Sequence, residues 1–242
     1  MTHHVPPDTM APVLPEVQAI CDEMLALRHH LHAHPELAYQ EVMTGDLVAE
    51  KLAEWGYEVH RGLGITGVVG TLRRGRHEGG KRLGLRADMD ALPIEEATGL
   101  PYASRHPGKM HACGHDGHTA TLLAAAKVLA QRGQFDGTLH LIFQPAEEGH
   151  GGAKKMVEDG LFQLFPCDAL YAFHNEPGYP AGHFGFRSGV MYSSSDTAII
   201  TVRGTGGHGA MPHAAVDPIV VAAHLVLALQ TIRSREIDPN DM

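Results

Sequence analysis

The sequence predicts an α/β layered domain followed by the opening of a smaller α+β domain, and three observations carry that reading. Apolar positions at helical spacing alternate with short strand-like runs from Glu16 to Phe173. Polar, chemistry-bearing residues begin where several of those runs stop. After Gly189 the character changes: the polar hinge MYSSSD leads into one alternating run and one long apolar helix.

Each element has its own signal. Val17, Ile20, Met24, Leu27 and Leu31 recur at helical spacing until Pro35 stops them. A second helix is expected from Thr44 to Trp55, with Leu47, Val48, Leu52 and Trp55 on one side and Gly56 just past its end. Strands are expected at Tyr57 to His60, Gly67 to Leu72 and Arg82 to Ala87. A buried helix follows from Asp116 to Arg132, closed by Gly133. Thr138 to Phe143 reads as a strand, Gly152 to Asp159 as a short helix, and Ala169 to Phe173 as a strand. Beyond the hinge come a strand from Thr197 to Val202, a glycine-rich turn, and a helix from Pro218 to about Arg233. The expected division is a disordered, proline-rich tail over 1–14, a principal domain over 15–189, and a partial second domain over 190–242. One strand and one helix cannot close a core, so the second domain is expected to be incomplete.

Composition narrows the function. At 242 residues, with 43% apolar and 19% charged residues, the chain is an ordinary globular one. A net charge of −9 argues against nucleic acid and anionic membrane as partners. Three cysteines at wide spacings (Cys21, Cys113 and Cys167) do not make a disulfide framework and suit a reducing compartment. Thr2 to Glu16 has no apolar signal core, and no run of about twenty apolar residues exists, so the expected location is cytoplasmic. Gly62 to Gly70 lacks the spacing and the following helix of a dinucleotide-binding turn.

Histidine is the outlier, with 19 in the chain, and position decides which of them matter. In MHACGHDGHTA, residues 110–120, Cys113 and His115 stand one glycine apart just before a helix. A loop at a helix N-terminus aims both side chains at one point, and that terminus and any nearby cation lower a thiol pKa. A buried cysteine beside a capping loop explains C-x-H alone equally well. The strand LHLIFQ runs into Glu147 and Glu148, adjacent carboxylates that diverge, so that one can bind a metal while the other faces a water as general base. An exposed acidic turn is the plain alternative. His174 begins the polar residues after the apolar strand ALYAF, where open α/β sheets gather their sites, although a single histidine there is often a satisfied core residue. In LRADMDALP, Asp88 and Asp90 follow a short strand. An aspartate there can orient a ligand histidine, or the two can be acids in a turn. Mixed sulfur, nitrogen and oxygen donors from three strand ends suit zinc, manganese or a related divalent ion.

In order along the chain, LHAHPELAYQE (31–41), LRADMDALP (85–93), MHACGHDGHTA (110–120), FQPAEEG (143–149), FHNEP (173–177) and GTGGHGAMPHAAVDP (204–218) resemble the M20 peptidase family, in its amidohydrolase branch. The resemblance implies a zinc-peptidase-like catalytic domain carrying an inserted lid and dimerisation domain, and homodimers or higher homo-oligomers through that lid. It implies two divalent ions, manganese or zinc with nickel or cobalt as alternatives, held by Cys113, His115, Glu148 and His174. Glu147 matches the general base, Asp88 the orienting acid, and His208 the lid histidine that steadies the reacting carbonyl oxygen. The implied reaction is hydrolysis of the amide of an N-acylated amino acid by metal-activated water. Two departures stand out. Arg86 occupies the position where the wider family has a ligand histidine. A further ligand histidine, which the family carries downstream of the lid, has no counterpart here, so the chain resembles about the first two-thirds of a complete enzyme. That absence favours the rival reading of an impaired or inactive fragment kept as a binding or assembly module.

Overall fold

The computed structural model describes residues 13–76, 78–192 and 197–236. The expected disordered tail falls almost wholly outside them, as do residues 193–196 of the hinge. The chain divides between Tyr179 and Pro180 into two compact units.

The first unit is built on a five-stranded sheet. Helices α1 (Pro15–Gln18), α2 (Cys21–Ala33) and α3 (Val42–Glu54) precede strands β1 (Glu58–Leu63), β2 (Gly67–Arg74) and β3 (Lys81–Asp88). Helix α4 (His115–Arg132), strand β4 (Gly137–Gln144), helices α5 (Gly152–Glu158) and α6 (Leu161–Leu164), and strand β5 (Ala169–Ala172) complete it. The order across the sheet is β1-β2-β4-β3-β5. Strands β1, β2 and β4 pair antiparallel, whereas β3 lies parallel to both β4 and β5.

Alternation along the strands makes two cores. Val68 and Leu72 of β2 and Leu139, Leu141 and Phe143 of β4 face α2, α3 and α4, packing on Met24, Val48, Leu52, Leu122, Leu123 and Ala126. On the opposite face, Val69 and Ile142 pack on Met156 of α5 and Leu161 of α6. The sheet is therefore held between helical layers, as parallel strands require.

Most element ends differ from expectation by a few residues, and two differences have a local reason. The first helix is two, because the chain breaks at Ala19 and Ile20 and Ile20 turns into the core. Helix α3 begins two residues early because Glu36, outside it, accepts the N–H groups of Met43 and Thr44 at 3.0 and 2.8 Å. The short helix α6 was not expected.

The second unit contains a 3-10 turn at Pro212–Ala214 and helix α7 (Pro218–Thr231), which runs on into a π turn over Ile232–Glu236. Asp217 caps α7, accepting the Ile219 N–H at 2.9 Å, with Pro218 at its first position. The expected strand from Thr197 to Val202 does not form. A strand exists only through a paired neighbour, and among the described residues the single bridge in this unit joins Thr205 to Val216. None of the described helices is long and apolar enough to cross a membrane.

Candidate metal centre

The carboxyl ends of β3, β4 and β5 lie at one edge of the sheet, aligned through the pairs Asp88–Gln144 and Arg86–Ala172. Asp88 and Asp90 stand at the end of β3, Glu147 and Glu148 follow β4, His174 follows β5, and Cys113 and His115 stand at the start of α4. Three ligand groups overlap there and share His115: Cys113 with His174, Asp88 with His118, and Glu147 with Glu148. Within each group the donor atoms lie within 4.8 Å of one another.

His115 is fully buried and its tautomer is fixed from behind. Its Nδ1–H donates to the Asp90 carbonyl at 2.8 Å, with the Asp90 carboxylate also 3.2 Å away. In the neutral ring this leaves the Nε2 lone pair pointing forward, 3.6 Å from Asp88 Oδ2 and 3.9 Å from Glu148 Oε1. A histidine whose second nitrogen donates to a carbonyl is the usual arrangement of a metal ligand. Burial works against the charged ring, but the Asp90 hydrogen bond and the Asp88, Asp90 and Glu148 charges outweigh it and raise the His115 pKa.

His115 Nε2, Asp88 Oδ2 and Glu148 Oε1 are all buried without a hydrogen-bond partner. Asp88 Oδ2 has the Arg86 guanidinium 2.8 Å away as its counter-charge. His115 Nε2 and Glu148 Oε1 lie 3.9 Å apart, and an unsatisfied buried polar atom costs about 1–3 kcal/mol. A divalent cation between those two would satisfy both. The donor set, with one sulfur and several nitrogen and oxygen atoms, fits zinc-like or manganese-like ions.

Cys113 Sγ lies 3.4 Å from His174 Nε2, and His174 Nδ1 donates to the Asn175 carbonyl at 2.7 Å. The loop geometry depends on Gly114, whose φ is 97° and where a Cβ would stand 2.5 Å from Asn175 Oδ1. The thiol does not behave as the helix N-terminus alone suggested. Burial, then the charge of Glu148 and its hydrogen bond, then Asp88 and Glu147, push it up to about 12. Thiolate formation here therefore calls for a cation. Glu148 is half-buried and its N–H donates to Asp90 Oδ2 at 3.0 Å, whereas Glu147 is exposed.

Asp88 and Asp90 divide the orienting work. Asp90 carries His115. Asp88 instead accepts the His118 Nδ1–H at 2.6 Å, while His118 Nε2 accepts the Asn175 N–H at 3.1 Å. Both nitrogens of His118 are thereby used, so it braces the site. Sequence reading gave it no role, although its place three residues after His115 puts it on the same helix face. Arg86 places Nη1 2.8 Å from Asp88 Oδ2 in an ion pair without hydrogen-bond alignment, and its Nε donates to Gln144 at 2.8 Å. Burial would raise the Asp88 pKa, but the His118 hydrogen bond and the Arg86, His115 and His118 charges bring it down to about 2. Behind His115, Asp116 accepts from Arg28 at 3.1 Å and from His32 at 2.9 Å, anchoring α4 to α2.

Six of the seven residues singled out from sequence meet at this site. The seventh, His208, belongs to the second unit, where its Nδ1 accepts the Ala210 N–H at 3.1 Å.

Residues 84–239 match Peptidase family M20/M25/M40. Hippurate hydrolase of Campylobacter jejuni is 51% identical over 95% of the chain, which covers 59% of that protein. N-acetyl-L-cysteine deacetylase of Bacillus subtilis is 44% identical over 90% of the chain, which covers 51% of that protein. The chain thus spans little more than half the length of these relatives. A crystal structure of a dinuclear metal-binding peptidase of the M20 family from Bacillus subtilis superposes with a TM-score of 0.63 at 40% identity, over 67% of this chain and 45% of that one. With more than half of its residues matched to that family, the chain belongs to the M20/M25/M40 peptidases.

Proposed function

We propose that this chain carries the catalytic centre of a metal-dependent amidohydrolase that cleaves N-acylated amino acids into a carboxylate and an amino acid. The observation that carries the reading is the pair of unpartnered buried atoms His115 Nε2 and Glu148 Oε1 beside the exposed carboxylate of Glu147. The names of the relatives, a hippurate hydrolase and an N-acetyl-L-cysteine deacetylase, support the substrate class.

Cys113, His115, Glu148 and His174 would hold two divalent ions, manganese or zinc, with nickel or cobalt as alternatives. Bound there, the ions supply an acidified water and a Lewis acid for the amide carbonyl. Glu147, the exposed carboxylate of the pair, would take a proton from the attacking water and return it to the leaving nitrogen. Asp90 and Asp88, through His115 and His118, keep the rings in the tautomers this requires. In the second unit, His208 accepts at Nδ1 and so carries its proton on Nε2, the form that can donate to a developing oxyanion. We read this unit as the start of a lid and dimerisation domain. The exposed apolar residues of α7, Ile219 at 77% and Leu227 at 68%, support its use in self-association. Three free cysteines among the described residues suit the cytoplasm.

The test is hydrolysis of N-benzoylglycine and N-acetyl amino acids with manganese or zinc, by this chain and by a chain of the relatives' full length. Metal-dependent release of the amino acid that vanishes in Glu147→Gln supports the reading. Turnover in the longer chain alone would make the 242-residue form an impaired one, and turnover in neither would overturn the proposal.

A further inference from the structure

The motif LHAHPELAYQE, residues 31–41, supplies none of the proposed ligands. Its last residue, Glu41, is a carboxylate with 0% exposure. Glu41 Oε2 accepts the Thr66 hydroxyl at 2.6 Å, and Oε1 accepts the Ala146 N–H at 2.9 Å. Ala146 is buried, has a φ of 52°, and immediately precedes Glu147 and Glu148. Left-handed backbone at a residue other than glycine is strained, and it persists only where the surroundings impose it.

Among the described residues just two other non-glycine positions share this conformation, Tyr39 at φ 62° and Ile65 at φ 76°. Both lie on segments tied to the same turn. Ile65 precedes Thr66, which bonds Glu41, and the Tyr39 hydroxyl donates to the His150 carbonyl at 2.8 Å. The turn is gripped from its other sides too. Gly152 N–H donates to the Ala146 carbonyl at 2.9 Å, and a Cβ on Gly152 would stand 1.8 Å from the Pro145 oxygen. Burying a carboxylate is a costly way to fill space, and burial pushes the Glu41 pKa up. An acid that spends both oxygens on this turn and its neighbour is doing more than packing.

We propose that Glu41 is a positioning residue: by holding Ala146 left-handed it sets the directions in which Glu147 and Glu148 leave the turn. The inference rests on the proposed hydrolase only for its activity readout. Metal binding through Glu148 reads it independently.

The experiment is a double-variant cycle of Glu41→Ala and Ala146→Gly, followed by zinc affinity from chelator competition and by kcat and KM for N-acyl amino acid hydrolysis. Glu41→Ala should weaken zinc affinity and lower kcat by about 10–100-fold each, with KM little changed. In the Ala146→Gly background the same change should cost much less, because glycine takes the left-handed conformation unaided. If Glu41→Ala does not fold, Glu41→Leu fills the space without an acceptor and carries the same two expectations. Equal losses in both backgrounds, or no loss of affinity in either, would overturn the proposal. Should the parent show no hydrolysis, the hydrolase reading fails and the zinc affinities alone decide the role of Glu41.

Discussion

Asp90 holds His115 from behind: its carbonyl takes the Nδ1–H at 2.8 Å, so the neutral ring turns the Nε2 lone pair to the site. The same residue's carboxylate lies 3.2 Å from that Nδ1 and takes the Glu148 N–H at 3.0 Å, so its side chain touches the settings of two proposed ligands. Asp90→Ala should therefore weaken divalent metal binding by about 10–100-fold, and Asp90→Asn by less, since the amide oxygen can still accept. Competition against a chromogenic chelator measures both. Affinity unchanged in Asp90→Ala would remove Asp90 from the metal site.

Cys113 has an acidic, partly buried setting that keeps its thiol protonated until a cation arrives. Cys113→Ser should lose most bound zinc while keeping its circular dichroism, because a serine hydroxyl is rarely ionised and is a poor ligand for zinc-like ions. Elemental analysis of parent and variant decides the point. Equal metal content would strike Cys113 from the ligand set.

Glu147 and Glu148 are neighbours with different surroundings, one exposed and one with a buried orphan oxygen. Glu147→Gln should keep metal and lose hydrolysis, by roughly 100-fold or more as general bases usually contribute. Glu148→Gln should lose metal affinity first. The reverse pattern would exchange the two roles.

Asp88 gives the metal-free protein a pH signature. Its carboxyl is held near a pKa of about 2 against an ordinary 3.8, so the folded state favours the ionised form. The stabilisation is fully present above about pH 4 and is lost as pH falls through about 2, and it amounts to about 2 kcal/mol. Urea unfolding of the parent and of Asp88→Asn between pH 5 and 2 should show this component in the parent only. Parallel stability curves would contradict the ionised, His118-bonded state of Asp88.

Much of this was legible in the sequence because it is local. Leu139, Leu141 and Phe143 alternate along one strand, and the apolar face of α4 repeats at helical spacing, so both elements could be placed from pattern alone. The strand expected at Thr197 to Val202 has the right alternation, but a strand is a relation between two segments and none of the described ones pairs with it. The proposed ligands stood out for a related reason. Glu148 and His174 follow apolar strands and Cys113 precedes a helix, so polar residues begin there together, and the ordered motifs resemble one family. The supporting residues did not. His118 looks like any histidine on a helix until Asp88 and Asn175 are seen to occupy both of its nitrogens. Glu41 looks like a helix-start acid until the long-range bond to Ala146 is seen. Tautomers and backbone strain are set by contacts between distant segments, and residue spacing does not encode them.

A divalent ion held through the proposed ligands would take the Cys113 sulfur together with the nitrogen and oxygen donors of His115, Glu148 and His174. X-ray absorption at the zinc edge of the zinc-loaded protein reads that donor set. The expected spectrum has a sulfur shell at about 2.3 Å alongside nitrogen and oxygen at about 2.0–2.2 Å, with the sulfur shell gone in Cys113→Ser. A first shell of nitrogen and oxygen alone in the parent protein would contradict it.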